Sequence, residues 1–80
     1  MAKITFPDDF LGYTDGVREL ESTAETFRDL CQQLRARWPA LDEKLERSAV
    51  AIDGQIYQDA FLEPIPPDGE VFFMARIEGG

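Results

Sequence analysis

The chain ends in two glycines, Gly79 and Gly80, which are the residues best suited by type and position to take part in a reaction. Glycine has no side chain, so this segment could pass through a narrow channel and bring its terminal carboxylate against a nucleotide in another protein. The four residues that follow Arg76 extend at most about 14 Å, which is enough to enter a partner's active site. The alternative is that two glycines stand by chance at a frayed end and have no function.

The single cysteine, Cys31, and the absence of histidine limit the other chemistry that the chain could perform. One cysteine cannot form an internal disulfide, and without histidine we expect no metal site. Cys31 lies between Leu30 and Leu34 on an apolar helical stripe. Because reactive thiols need exposure and nearby positive charge, we interpret Cys31 as a buried packing residue rather than a sulfur-handling group.

The acidic composition argues against two classes of partner. The formal net charge is −8, whereas nucleic acids and anionic membranes attract basic surfaces, so we expect neither as a partner. No apolar run approaches the roughly 20 residues that span a bilayer, and the N-terminus lacks the apolar segment of a secretory signal. We therefore expect a cytoplasmic protein with basic protein partners, although the charge could equally serve only solubility.

Five segments read as strands that would position the C-terminal residues. They are rich in apolar residues, alternate between polar and apolar, or flank turn signals. The predicted strands are residues 3–6, 17–20, 49–52, 55–57 and 70–77. The first two would form a hairpin with a long loop, and Asp53-Gly54 predicts a tight hairpin between the next two. The prolines in residues 64–67 exclude a central strand there.

One helix is predicted between the second and third strands. Ser22-Thr23-Ala24-Glu25 has the spacing of a capping box, which predicts a helix start near Ser22. The apolar stripe of this helix consists of Phe27, Leu30, Cys31, Leu34 and Trp38. Pro39 follows the stripe and should end the helix near Trp38.

These elements predict an α+β fold in which one amphipathic helix covers one face of a mixed sheet. Along the last strand, alternation directs Val71 and Phe73 to the core and Phe72, Met74 and Arg76 to the outer face. Large apolar side chains exposed there would suit docking on a partner. The alternative is that loop residues, such as Phe61 or Leu62, cover them.

Several segments of the chain resemble the MoaD/ThiS family, the small sulfur-carrier subunits of molybdopterin and thiamine biosynthesis. The specific motif is the run Pro64-Ile65-Pro66-Pro67-Asp68-Gly69-Glu70-Val71-Phe72-Phe73 together with its distance to Gly79-Gly80. Within the family, the chain resembles the molybdopterin synthase small subunit more closely than the thiamine-type carriers. The supporting segments are residues 11–20, 22–26 and 49–54. Two features differ from the family: Asp53 stands where asparagine is usual, and Met74-Ala75-Arg76 replaces a frequent Pro-Pro.

The resemblance implies a ubiquitin-like β-grasp domain over residues 1–77 and a flexible tail over residues 78–80. It implies that a ubiquitin-activating-type enzyme uses ATP and magnesium to adenylate Gly80, and that a sulfur donor converts the adenylate to a thiocarboxylate. A synthase subunit or another acceptor enzyme would then receive the sulfur. The chain itself would bind no cofactor and would be a carrier, not an enzyme, with Gly79, Phe72, Met74 and Arg76 meeting the partner.

Two other functions remain open at this point. A ubiquitin-like modifier joined to lysines through Gly80 would use the same tail and the same activation. An interaction domain with an incidental Gly-Gly would use neither.

Overall fold

The computed structural model describes residues 1–76, so the predicted tail and Ile77 lie outside the described residues. Five strands form one mixed sheet in the order β2-β1-β5-β3-β4. The strands are β1 Ala2–Thr5, β2 Glu19–Ser22, β3 Ser48–Ile52, β4 Gln55–Tyr57 and β5 Glu70–Ala75. The central strand β5 runs parallel to β1 and antiparallel to β3, and the two outer pairs are antiparallel.

The main helix, α1, spans Phe27–Arg37 and covers one face of this sheet. A short helix, α2, spans Asp42–Glu46, and single 3₁₀ turns occupy Asp8–Phe10 and Pro39–Leu41. The predicted α+β arrangement with one main helix on a mixed sheet is confirmed.

The core between helix and sheet is centred on Phe73 of β5. Its ring lies 5.8 Å from that of Phe6 and 5.6 Å from those of Phe10 and Phe27, measured between ring centroids. The Trp38 ring meets Phe6 edge to face at 5.9 Å. Tilted and edge-to-face contacts at these distances are favourable for aromatic rings, so one cluster joins the central strand to both ends of α1.

The hairpin between β3 and β4 forms at Asp53-Gly54, as predicted. Both residues have positive φ, 49° and 84°, which is the backbone of the two-residue turn that Asp-Gly favours. The Asp53 carboxylate also accepts a hydrogen bond of 2.8 Å from the backbone N–H of Glu70. The turn is therefore tied to the start of the central strand.

The second strand lies later in the chain than predicted. The sequence indicated residues 17–20, whereas β2 spans Glu19–Ser22 and pairs Leu20 with Ile4. Val17 stays in the preceding loop, where its carbonyl accepts a hydrogen bond from the Thr14 hydroxyl at 2.8 Å. Because Thr14 is fully buried, this contact holds the end of the loop before the strand begins.

The predicted helix start at Ser22 was wrong, since α1 begins at Phe27 with Thr26 as its N-cap. Ser22 is the last residue of β2, opposite Ala2, and its hydroxyl accepts from the N–H of Ala24 and donates to Gln33. A serine that ends a strand can make the same local hydrogen bonds as a cap. The predicted end of the helix near Trp38 is confirmed.

The N-cap of α1 yields a stability prediction. The Thr26 hydroxyl accepts from the N–H of Asp29 at 3.2 Å, so Thr26→Ala should lower the free energy of unfolding by about 1 kcal/mol. Thr26→Ser keeps the acceptor and should lose much less. Urea unfolding of both variants measures the difference. Equal losses in the two variants would show that the hydroxyl is not the cap.

Candidate functional site

The outward residues of β5 form the candidate site, because this strand leads directly towards Gly79-Gly80. Val71 and Phe73 are buried, whereas the Phe72 side chain is 42% exposed and Met74 is partly exposed. The predicted alternation thus holds from Val71 to Met74. Ala75, which alternation assigns to the core side, is exposed at the end of the strand.

Phe72 belongs to a row of residues that crosses four strands on the outer face. The register pairs it with Thr5 of β1 on one side and with Ala51 of β3 on the other, and Ala51 pairs with Ile56 of β4. Paired residues point to the same face of a sheet. The small side chain of Ala51 therefore lies between two large apolar ones.

Met74 extends this apolar area towards the end of β5. It pairs with Ala49, and both Ala49 and Ala51 are buried although they face away from the helix. The strand register places these alanines between Ile56, Phe72 and Met74, so the apolar residues of the outer face are neighbours across three strands. We call this surface the outer patch; its residues are Ala49, Ala51, Ile56, Phe72 and Met74.

The other end of the outer face is charged. Lys3 of β1 pairs with Glu21 on one side and Glu70 on the other, and its ammonium lies 3.4 Å from the Glu19 carboxylate. Three acidic residues thus neighbour Lys3 on this face, and Glu19 forms an ion pair with it. The outer face runs from an acidic end to an apolar end, and the apolar end contains Met74, near the end of β5.

Arg76 is the last described residue and connects β5 to the loop that follows β4. Its guanidinium donates a hydrogen bond of 3.0 Å to the backbone carbonyl of Gln58. Arg76 is exposed, so the same side chain remains open to a partner. Of the predicted site residues, Phe72 and Met74 lie together on the outer face. Arg76, predicted for the same face, instead lines a groove on the helix side with Tyr57 and Phe61, because its hydrogen bond to Gln58 draws it there. Gly79 and Gly80 lie outside the described residues.

Cys31 is buried on the helix side, as predicted. Burial raises the pKa of its thiol from 9.0 to about 11, and the nearby Arg35 lowers it by a smaller amount. Since the thiolate is the reactive form, a thiol with this pKa is almost entirely neutral and unreactive near neutral pH. This environment is typical of a packing residue.

Within residues 1–76, no group of three or more histidine, cysteine, aspartate or glutamate side chains is placed to hold a metal ion. Over the same part of the chain, no helix is long and apolar enough to cross a membrane.

Two features of the site were missed from the sequence. Ile56, whose side chain is 53% exposed, belongs to the outer patch; the alternation Gln55-Ile56-Tyr57 could have indicated this, because Tyr57 packs against the core. Phe61 does not cover Phe72. It lies beside α1, where the Arg28 guanidinium stands 5.8 Å from its ring centroid.

The fold and the site define a class of protein: a small β-grasp domain with an exposed apolar patch on the sheet that includes residues of β5. Its structure is similar to a chain in the crystal structure of the Amycolatopsis orientalis BexX/CysO complex, with a TM-score of 0.84 over all of both chains and 11% sequence identity. At that identity the likeness shows the fold alone. Neither a protein-family model nor a curated protein matches the sequence.

Two neighbouring phenylalanines on opposite faces of β5 give a prediction about the site. Phe73→Ala should lower the free energy of unfolding by about 3–5 kcal/mol, because it removes the centre of the aromatic cluster. Phe72→Ala should change it by about 1 kcal/mol or less, since Phe72 is exposed. Denaturant unfolding of the two variants provides the measurement. Comparable losses would mean that Phe72 contributes to the fold and is not reserved for a partner.

Proposed function

We propose that this chain is a sulfur carrier of the MoaD/ThiS type whose C-terminal Gly80 is adenylated and then converted to a thiocarboxylate. The observation that carries the proposal is the position of the outer patch. It includes Phe72 and Met74 of the central strand, and Gly79-Gly80 follow this strand in the sequence. A partner that binds Phe72 and Met74 would therefore hold the chain a few residues before Gly79 in the sequence.

The fold supports this proposal. The BexX/CysO complex contains CysO, a sulfur carrier of this class, and the present chain matches the fold over its whole length. Residues 64–73 resemble the molybdopterin synthase small subunit, and on that resemblance we propose this subtype. On this basis the chain is a carrier rather than an enzyme, and one of its partners is an enzyme or synthase subunit that accepts sulfur.

The proposed chemistry takes place in the active site of a ubiquitin-activating-type partner, which binds ATP and magnesium. A carboxylate oxygen of Gly80 attacks the α-phosphorus of ATP and expels pyrophosphate, leaving a mixed anhydride with AMP. Hydrosulfide from the donor then attacks the Gly80 carbonyl carbon, so that a C–S bond forms as the C–O bond to AMP breaks, and the products are the thiocarboxylate, AMP and a proton. A carboxylate is a poor electrophile, so the phosphate leaving group makes the second step possible.

The described residues would contribute binding and positioning. Phe72 and Met74 expose apolar area to solvent in the isolated chain, and this area would be buried against the partner. Arg76, held by the carbonyl of Gln58, would set the direction in which the chain leaves the sheet. Gly79 would pass through the narrowest part of the partner's channel, because a side chain there would obstruct entry.

The proposal predicts a defined mass change. After incubation with the purified activating enzyme, ATP, magnesium and sulfide, the intact chain should become about 16 Da heavier, since one carboxylate oxygen is replaced by sulfur. Whole-protein mass spectrometry measures this change. Cys31→Ala is the matched control and should gain the same mass, because the buried thiol takes no part.

Two results would contradict the proposal. A chain joined to lysines of other proteins, with no thiocarboxylate, would indicate a ubiquitin-like modifier. A mass gain that disappears in Cys31→Ala would place the sulfur on the cysteine.

A further inference from the structure

The loop between β4 and β5 is tied to the start of the main helix by backbone hydrogen bonds. The N–H groups of Phe27 and Arg28, in the first turn of α1, donate to the carbonyls of Glu63 at 2.9 Å and Phe61 at 3.0 Å. Helix N-termini leave such N–H groups without partners inside the helix. The loop therefore caps α1, and this role fixes the path of its backbone.

That path leaves two large apolar side chains in solvent. Phe61 is 53% exposed and Leu62 is 75% exposed, whereas Ala60 before them and Ile65 after them are buried. The buried pair anchors the loop on both sides. The carbonyls of Phe61 and Glu63 are held by α1, so the backbone is fixed on both sides of Leu62, in a path along which Phe61 and Leu62 are exposed.

Acidic side chains flank this apolar pair. Asp59 and Glu63 line the same surface depression as Phe61 and Leu62, and Asp59 is exposed. We call these four residues the loop patch. The Arg28 guanidinium stands over the Phe61 ring but belongs to α1, whereas both charged residues of the patch itself are acidic. Carboxylates beside apolar area are complementary to an apolar cleft that is bordered by lysine or arginine.

The loop patch lies beside Arg76, the first residue after β5. Arg76 donates to the carbonyl of Gln58, which directly precedes Asp59, and Arg76 and Phe61 line one surface groove together with Tyr57. Tyr57 packs against the core, whereas its neighbour Ile56 lies in the outer patch. The two patches therefore flank the place where the chain leaves β5, one on each face of the sheet.

We infer that the loop patch is a second docking surface for the enzyme that activates Gly80. That enzyme would contact both faces of the sheet beside Arg76. This inference rests on the proposed function. The partner surface that it predicts is an apolar cleft with a basic border. A second copy of this chain is a poor fit, because each copy has a net charge of −8 and the patch itself is acidic.

The test is ATP–pyrophosphate exchange by the purified ubiquitin-activating-type enzyme at varied concentrations of the chain. The double variant Phe61→Ser with Leu62→Ser should raise KM at least about tenfold, the loss of one strong contact, and leave kcat unchanged. Tyr13→Ser is the matched control, because Tyr13 is an exposed aromatic residue on the β1–β2 loop. Its KM should stay within about twofold of the unchanged chain.

A second pair of substitutions tests the charge. KM should rise with salt concentration less steeply for Asp59→Asn with Glu63→Gln than for the unchanged chain, because part of the ionic attraction to the partner is removed. Unfolding by urea should show that both double variants keep their fold.

The outcomes separate the inference from the proposed function. Exchange with the unchanged chain but an unaltered KM in Phe61→Ser with Leu62→Ser would overturn the loop patch alone. Absence of exchange with the unchanged chain would overturn the proposed function and the inference with it. Self-association that depends on Phe61 and Leu62 would assign the loop patch to a second copy of the chain and would overturn the inference.

Discussion

Side chains along a strand point alternately to the two faces of a sheet, and this sheet has a covering helix on one face. In β5 the alternation decides which aromatic residue is buried. Phe73 packs among Phe6, Phe10 and Phe27, so its neighbour Phe72 must face away from α1. A slip of one residue in the pairing of β5 would exchange the two faces and place Phe73 in solvent. The aromatic cluster therefore sets the register of the central strand and, with it, the composition of the outer patch.

The same register explains how an 80-residue chain can expose so much apolar area near one end. A small domain buries a smaller fraction of its surface than a large one. Large apolar side chains that stay exposed do not contribute to its core, and a group of them marks an interaction site. On the outer face, alanines at positions 49 and 51 leave room between Phe72, Met74 and Ile56. On the helix side, capping of α1 uses the carbonyl of Phe61 and leaves its ring outside. Both arrangements are built by the backbone, and both lie beside the start of the C-terminal segment.

Much of the fold follows from local sequence patterns. Alternation identified β1, the Asp53-Gly54 turn identified the hairpin of β3 and β4, the content of Val, Phe and Ile identified β5, and Pro39 identified the end of α1. The start of α1 could not be predicted in this way. Ser22 satisfies the pattern of a capping box, but its pairing with Ala2 keeps it in β2. Local spacing cannot reveal which of two compatible hydrogen-bond patterns the rest of the fold selects.

The candidate site shows the same limit. The outward direction of Phe72 could be predicted from alternation, since it depends on its own strand. The position of Phe61 could not, because it depends on hydrogen bonds between a loop and a helix more than 30 residues earlier in the chain. Features that arise from such distant contacts leave no local pattern in the sequence.

The most direct measurement of the central claim compares the full chain with a chain that lacks Gly80 in ATP–pyrophosphate exchange with the activating enzyme. The deletion moves the terminal carboxylate by about 3.5 Å, one residue's length, which is far more than nucleophilic attack on a phosphate tolerates. We expect exchange with the full chain and none with the shortened one, while the two melt at the same temperature. Exchange at equal rates would show that the terminal carboxylate of Gly80 is not the reacting group.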